Sequence, residues 1–271
     1  MKRKKSPIFF YYRIAILLLM AFVLIHVLRQ GATTEPAQQD ANPAEQTIAA
    51  DSTEAALLLP APLTNCSEQL LRREGYILSY NKDRLQANWV YWLLTPERTE
   101  GNNNEKDFHD DLDVPAPRPG KWDYYNSGYD RGHMCPAADN KYSAAARRDC
   151  YLYTNMSPQN HQLNSGLWNT LEMRCRTWAK KRGPLHIVCG PIYTSEHTKT
   201  IGQNRVAVPD AYFKAIVSLS PSPFSAAYIM PNRSIDGPLN AYAVSIDSIE
   251  TLTGFDLFAP LESDMEARLE Q

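Results

Sequence analysis

The residues of this chain that could carry out chemistry lie close together in sequence, between positions 130 and 176. They are Asp130-Arg131-Gly132-His133-Met134, then Asn155 within the stretch 154–159, and then Asn164, Glu172 and Arg176. The set supplies a potential general base, an amide that can bind a metal ion, a carboxylate and two guanidiniums. Hydrolysis of a phosphodiester needs an activated water, cancellation of charge around the phosphorus and help for the leaving oxygen. These residues therefore have the chemistry required to cut a phosphodiester.

Each of these side chains also has an ordinary structural interpretation. An isolated histidine is usually structural, although an unperturbed pKa of about 6.5 would let His133 act as a neutral base near pH 7. An asparagine near a helix start, such as Asn164, is usually a cap. Glu172 and Arg176 lie four residues apart on one face of a predicted helix, which is the spacing of an ordinary surface ion pair. Spacing alone does not decide between the two interpretations.

The motif Asp-Arg-Gly-His-Met, together with Asn155 and the helical run that follows, resembles the DNA/RNA non-specific endonucleases. This is the sugar-nonspecific and endonuclease G-like family of ββα-metal nucleases. The resemblance covers about residues 65–258 and is sharpest over 128–176. It implies that the motif ends a strand, where Asp130 supports the strand end and Gly132 permits tight backbone geometry beside the site.

The resemblance also implies a role for each remaining residue of the set. His133 is expected to be the general base, and Arg131 to lie near the phosphate. Asn164 matches the family's metal-binding asparagine, and Mg²⁺ is the expected ion, with other divalent ions such as Mn²⁺ as alternatives. Mg²⁺ usually keeps several waters, so one amide oxygen can suffice as its protein ligand. Glu172 is expected to contact the water shell of the metal, and Arg176 to stabilise transition-state charge.

Two further positions carry expectations from the resemblance. Asn155 matches a second asparagine of the family that supports the catalytic site. The family commonly has an arginine in the loop before the motif, two residues ahead of an aromatic residue. The nearest match here is Lys106-Asp107-Phe108, in which a lysine keeps the charge but lacks the planar fork of a guanidinium. Lys106 is therefore predicted to be a substrate-binding contact to phosphate.

The elements that must position these residues include both strands and helices. Runs rich in β-branched and aromatic residues predict strands at 76–80, 87–94, 151–155, 185–193, 211–219 and 224–230. Capping residues and apolar periodicity predict helices at 65–73, 143–148, 161–181 and 245–253. The polar segment 96–120 is predicted to be a long surface loop. With the resemblance, this mixture predicts an α+β domain, a ββα-metal nuclease fold with a central, largely antiparallel sheet flanked by helices.

Composition constrains the function only mildly. The net charge of −2 gives no sign of a strongly basic nucleic-acid binder, and the clusters Arg147-Arg148 and 180–182 are interpreted as solvated faces. None of the five cysteines shows CxxC spacing, which argues against a zinc or thiol-redox motif. If the domain is exported, one or two disulfides are expected, with their pairing left open and at least one thiol left over.

The N-terminal residues 1–30 combine a basic start at 2–5 with an apolar run at 14–28. The basic flank orients the N-terminus towards the cytoplasm. The run is short for a membrane span, but no small-residue cleavage site follows it directly, which favours an uncleaved signal-anchor over a cleaved signal peptide. Residues 31–62 are rich in Ala, Thr, Gln, Glu and Pro and are predicted to be a disordered linker. The nuclease domain is expected at 63–271, outside the cytoplasm, in the periplasm or beyond the cell.

These observations predict an exported, membrane-anchored, Mg²⁺-dependent endonuclease that acts on DNA with little sequence preference, and they leave RNA open as a second substrate. The main alternative is a non-catalytic nucleic-acid-binding module on the same fold. A pure binder needs no general base, so the complete set of His133, Asn164 and Glu172 argues against it. A third alternative is a structural surface protein whose basic clusters are solvated faces.

Overall fold

The computed structural model describes residues 57–194, 197–219 and 223–269. The strands within these ranges are β1 (Gln69–Arg72), β2 (Ile77–Asn81), β3 (Gln86–Leu94), β4 (Asp130–His133), β5 (Met156–Gln159), β6 (Leu185–Ile192), β7 (Thr200–Ile201), β8 (Val206–Ala207), β9 (Ala211–Ser218), β10 (Phe224–Pro231) and β11 (Ala243–Val244). Seven of them form one sheet in the order β1-β2-β3-β6-β9-β10-β11. Each neighbouring pair in this sheet is antiparallel, which confirms the predicted fold class.

Helices cover both faces of the sheet, and their bounds are α1 (Lys121–Tyr124), α2 (Ala144–Asp149), α3 (His161–Leu163), α4 (Asn169–Arg182), α5 (Ile246–Thr253) and α6 (Ser263–Leu269). Side chains alternate between the two faces along each strand, as the two-residue period of a strand requires. In β3, Val90 and Trp92 join the core under α4, whereas Trp89 and Tyr91 join the core under α5. The sheet therefore separates two apolar layers, and the motif residues lie on the α4 side.

The predicted helix ends agree with the structure. Ser143 caps α2 by accepting from the backbone N–H of Ala146, and Ser245 caps α5 by accepting from Ser248. Gly183 and Gly254, with φ of 98° and 72°, end α4 and α5 in conformations that favour glycine. The predicted helix 161–181 is present as α3 and α4, joined by a π-helical segment, Asn164–Trp168.

Two predicted elements are wrong. The stretch predicted as a helix at 65–73 contains β1 instead, because Glu68 does not close a capping box but accepts from the backbone N–H of Leu63 and from the Ser79 hydroxyl. The stretch predicted as a strand at 151–155 ends in a 3₁₀ turn, Tyr153–Asn155, and the strand β5 begins only at Met156. An N–H to carbonyl bond of 3.0 Å from Asn155 to Leu152 closes the chain locally, so that it does not extend there.

The expectation of one or two disulfides is also corrected, because the described residues contain no disulfide. All five cysteines are free thiols. Cys175 and Cys189 are buried in the core under α4, where cysteine behaves as a small apolar residue. Cys135 and Cys150 are also buried, and the Nδ2 of Asn140 donates to both sulfurs at 3.2 Å.

The predicted N-terminal segment and most of the predicted linker, residues 1–56, lie outside the described residues. Leu58 is only 6% exposed and packs into the core under α5, so the packed structure extends N-terminal to the boundary predicted at residue 63. None of the helices in the described part of the chain has the length and apolar content that a membrane crossing needs. The predicted surface loop 96–120 contains one 3₁₀ turn, Glu97–Thr99, and a bridge between His109 and Leu152.

Candidate active site

A two-stranded hairpin places His133 next to the central sheet. In it β4 pairs with β5 in antiparallel register, with Gly132 opposite Ser157 and His133 opposite Met156. A Cβ atom on Gly132 would lie 2.3 Å from Oε1 of Gln159, so only glycine allows the two strands to approach this closely. The motif therefore ends a strand, and its glycine fixes how His133 is presented.

The imidazole of His133 lies in an aromatic surround. The ring meets Tyr151 edge to face with centroids 5.0 Å apart, and Phe108 lies 5.9 Å away. Its Nε2 is shielded from solvent and has no hydrogen-bond partner among the described residues. Burial, together with the positive charges of Arg147 and Arg131, lowers the pKa of His133 to about 4. The imidazole is therefore neutral at pH 7, and its Nε2 is not engaged by another group of the described residues.

Asn155 contacts backbone groups and no other predicted site residue. Its Oδ1 accepts from the N–H of Cys135, and its Nδ2 donates to the carbonyls of Cys135 and Cys150, each at 2.9 Å. The residue is fully buried, and these three bonds leave little of its hydrogen-bonding capacity unused. Asn155 thus fixes the chain just after His133, which is the arrangement of a supporting residue.

Asn164 begins the π-helical segment, in which Gly166 (φ −99°, ψ −111°) departs from helical geometry and kinks the helix. Its Nδ2 donates to Oδ2 of Asp130 at 2.9 Å, and the same oxygen contacts Nδ1 of His161 at 2.9 Å. Because Asp130 engages the amide nitrogen, the Oδ1 of Asn164 remains available as a metal ligand or hydrogen-bond acceptor. Asp130, on β4, therefore links the hairpin to the helix that carries Asn164.

Asn164, Asp130 and Arg131 share the wall of a cavity of about 450 Å³. Phe108, Lys121, Tyr124, Tyr125, Asn126 and Tyr129 form the rest of the wall. The guanidinium of Arg131 lies over the ring of Phe108, 4.0 Å from its centroid, and its side chain is exposed. A cavity with a guanidinium on one side and an amide oxygen on the other can receive an anionic group and a cation together.

Glu172 and Arg176 are not an ion pair, although both lie on α4. Arg176 instead contacts Asp139 at 2.9 Å, and Trp92 holds the second oxygen of Asp139 through its indole N–H at 3.1 Å. Within the described residues Glu172 has no hydrogen-bond or ion-pair partner. Burial raises the pKa of Glu172 to about 7, with the positive charge of Lys214 opposing the rise. Glu172 is therefore a carboxyl group poised between its two protonation states near pH 7.

Lys214 is an unexpected buried charge on the inner face of β9. It is 0% exposed, and its ammonium lies 4.5 Å from the ring centroid of Trp168 and 5.1 Å from that of Trp92. The Nζ atom has no hydrogen-bond partner among the described residues; the indole faces and the nearby carboxyl groups of Glu172 and Asp139 favour its charged form. Lys214 places a positive charge beneath the helix that carries Glu172.

Two further residues considered from sequence, Lys106 and Arg147, lie in different environments. Lys106 is exposed and makes no side-chain contact within the described residues, two residues before Phe108 at the site. Arg147, interpreted from sequence as part of a solvated face, is buried. It donates to the carbonyls of Ala137 at 2.7 Å and Glu105 at 3.2 Å. That interpretation was wrong because these acceptors come from other loops, which local sequence does not reveal.

Three residues at the site were not singled out from sequence: Asp139, Tyr151 and Lys214. For Lys214 a signal existed, since it occupies an inward position in the alternating pattern of a strand otherwise apolar on that face. For the others the deciding contacts join segments far apart in the chain. No group of three or more His, Cys, Asp or Glu side chains in the described ranges could hold a metal ion.

An antiparallel strand pair whose first strand ends in a histidine, followed by a helical segment that carries a cavity-lining asparagine, is the arrangement of a ββα-metal nuclease. Comparison with known proteins specifies the family. Residues 55–264 match the family described as DNA/RNA non-specific endonuclease, and the chain belongs to that family.

Relatives of the chain support this assignment. Mitochondrial endonuclease G of Homo sapiens is 36% identical over 208 residues, covering 71% of this chain and 70% of that protein. A nuclease of Nostoc sp. is 32% identical over 218 residues, covering 74% of this chain and 77% of that protein. Among solved structures, a crystal structure of the EndoG/EndoGI complex superimposes with a TM-score of 0.69 at 28% identity, covering 74% of this chain and 90% of that chain. The chain is therefore an enzyme of the phosphodiester-hydrolysing endonuclease class.

Proposed function

We propose that this chain is a metal-dependent endonuclease that cuts DNA and RNA with little sequence preference, using His133 as general base. The observation that carries the proposal is the unpaired Nε2 of His133 in a ring whose pKa is lowered to about 4. A base must be neutral and unoccupied before it can take a proton from water. Both conditions hold for His133 at pH 7.

The residues present fit a hydrated divalent cation. The Oδ1 of Asn164 is left available by the bond from its Nδ2 to Asp130, and it borders the cavity that Arg131 also lines. Mg²⁺ binds hard oxygen atoms and often takes one or two protein ligands together with waters and substrate phosphate. When bound, the cation would supply charge stabilisation at the phosphate and the leaving oxygen. Glu172, which has no partner of its own, would accept hydrogen bonds from its water shell.

The protein's own groups account for the remaining tasks. Arg131 is exposed at the cavity and would hold a phosphate oxygen, while Arg176, fixed by Asp139, would offset charge near α4. Asn155 would keep His133 in place through the backbone of Cys135. Contacts to phosphates carry no sequence information, which supports low sequence preference.

Cleavage of plasmid DNA and of a structured RNA, with and without EDTA, tests the proposal. His133→Ala should lower the cleavage rate by about 10²–10⁴-fold, the usual contribution of a general base, while DNA binding is retained. His186→Ala is the matched control. Burial also lowers the pKa of His186 to about 4, but its ring is paired with the hydroxyl of Tyr91 at 2.8 Å.

The control should cleave at the wild-type rate below its melting temperature, measured for each variant by circular dichroism. A His133→Ala variant that keeps more than about a tenth of the wild-type rate would overturn the assignment of the base. DNA binding without cleavage by the wild-type protein, with any divalent ion tested, would favour the non-catalytic alternative.

A further inference from the structure

Two large aromatic side chains stand exposed beside the site without a role in the mechanism above. Trp122 is 72% exposed and Tyr125 is 64% exposed. Their rings meet edge to face, with centroids 5.7 Å apart and an interplanar angle of 74°. Aromatic surface left in water is unfavourable, so a pair of such rings at one place suggests that a ligand covers it.

The short helix α1, which carries these rings, is firmly held from below. Asp123 is buried; its carboxylate accepts from the N–H of Gly120 at 2.9 Å and from both the backbone and the side chain of Asn204. Tyr124 is also buried and stacks on Tyr153 with centroids 5.9 Å apart. Asp123 and Tyr124 therefore anchor α1, and Trp122 and Tyr125 on either side of them remain exposed to solvent.

The exposed pair adjoins the cavity that Arg131 and Asn164 line, through Tyr125, and is accompanied by positive charge. Tyr125 and Lys121 form part of the cavity wall, together with Arg131 and Asn164. The ammonium of Lys121 lies 5.4 Å from the ring centroid of Trp122. Lys199 adds a further charge, because its Nζ contacts the hydroxyl of Tyr129, another wall residue, at 3.2 Å. Aromatic faces interleaved with ammonium and guanidinium groups match the bases and phosphates of a single strand.

We propose that Trp122 and Tyr125 form a stacking subsite for an unpaired nucleobase of the substrate, next to the phosphate that is cut. This inference rests on the proposed function. In a duplex both faces of a base are covered by its neighbours, so an aromatic side chain can stack only on a base that is unpaired or displaced. Stacking is tolerant of base identity, which agrees with low sequence preference. The subsite therefore distinguishes single-stranded from double-stranded substrate, and not one base sequence from another. It favours the single strand.

Steady-state cleavage of a fluorescein-labelled single-stranded oligonucleotide and of the corresponding blunt duplex tests the subsite. For Trp122→Ala and for Tyr125→Ala, the KM on the single strand should rise by about tenfold, which corresponds to about 1.4 kcal/mol for a lost base stack. For Trp122→Ala, whose side chain is outside the cavity wall, the kcat on the single strand and the KM on the duplex should change by less than about twofold. Trp122→Phe should restore most of the lost affinity, because a ring remains available for stacking.

Leu252→Ala is the control, since Leu252 is an exposed apolar residue on α5, on the opposite face of the sheet. It should leave both substrates unaffected. Equal losses on single strand and duplex would overturn the subsite, because the rings would then contact the backbone or support the fold. Unchanged KM values in both alanine variants would overturn it as well.

A binding measurement separates failure of the subsite from failure of the nuclease assignment. Trp122 is one of five tryptophans, and it is the one with a largely exposed ring. In a His133→Ala background, a single-stranded oligonucleotide should quench a fluorescence component that disappears in His133→Ala/Trp122→Phe. Quenching without cleavage by the wild-type protein would leave the subsite standing and refute the nuclease. Cleavage without quenching would refute the subsite alone.

Discussion

Replacing Asn155 with alanine would remove an amide enclosed between two backbone segments. The side chain is 0% exposed and makes three hydrogen bonds of 2.9 Å, two with Cys135 and one with Cys150. The N–H of Met134 adds a fourth bond, of 3.0 Å, to the Asn155 carbonyl, which the substitution retains. Since Met134 and Cys135 directly follow His133, the amide determines where β4 ends and how the base is held.

The loss of stability follows from these bonds. Three neutral hydrogen bonds at about 1 kcal/mol each give a loss of about 3 kcal/mol in the free energy of unfolding. The partner groups of the backbone would be left buried and unpaired, which costs about 1–3 kcal/mol per group. Losses within one network are not additive, and a water that enters the space would recover part of them. The expected total is about 3–5 kcal/mol.

Urea unfolding followed by circular dichroism measures the stability, and kcat is then determined well below the melting temperature. Displacement of a catalytic group by about 1 Å can cost about 10²-fold, so kcat should fall by about 10- to 100-fold while the Mg²⁺ requirement stays the same. Asn240→Ala, at an exposed asparagine, is the control and should change neither quantity. A variant of wild-type stability that has lost activity would refute the supporting role and make Asn155 a direct participant in the chemistry.

Four further predictions concern the site and its location. Burial raises the pKa of Glu172 to about 7 in the absence of metal, and a bound cation would lower it, so the pH below which kcat/KM falls should move down as the Mg²⁺ concentration is raised; a midpoint that does not respond to Mg²⁺ would contradict this. Lys106→Ala should reduce the salt dependence of DNA binding by about one phosphate contact, whereas Lys106→Arg should be tolerated. If the binding constant of Lys106→Ala has the same salt dependence as that of the wild type, Lys106 does not contact phosphate. Asn164→Ala should raise the Mg²⁺ concentration for half-maximal rate, and unchanged titration curves would leave Asn164 only its structural bond to Asp130. Fractionation and N-terminal sequencing should find the mature protein on the membrane, and a soluble product beginning near Gly31 would show a cleaved signal peptide.

Local sequence signals were sufficient for most of the sheet and for three of the four predicted helices. Strands β3, β9 and β10 are rich in aromatic and aliphatic residues, a composition that agrees with a sheet covered on both faces. The helix prediction at 65–73 failed because one polar side chain, Glu68, can satisfy two different arrangements. Glu68 fits a capping box by spacing, but it is engaged by the Ser79 hydroxyl across the adjoining strand, and only the tertiary fold offers that partner.

The buried charges were beyond local reasoning for a similar reason. A pair of adjacent arginines usually indicates a solvated face, yet Arg147 extends between two loops to the carbonyls of Ala137 and Glu105. Lys214 sits between two indole rings that approach from β3 and from the π-helical segment. Neither arrangement has a periodic signature, because each depends on where distant segments come together. The sequence motif thus identified residues of the cavity wall, such as Arg131 and Asn164, better than the charges that surround it.

The different fates of Glu172 and Arg176 bear on the mechanism. Their i,i+4 spacing places them on one face of α4, and a helix in isolation would let them pair. In the fold Asp139 takes Arg176 at 2.9 Å and is itself fixed by Trp92, so Glu172 is left without a partner in the described structure. An unpaired carboxylate in a buried position is costly, which is why its pKa is raised to about 7. A hydrated cation at Asn164 would offset that cost. If Glu172 were paired with Arg176 in a surface ion pair, its carboxylate would not be available to the cation. The loss of the simple pairing therefore supports the proposed role of Glu172 towards the metal's water shell.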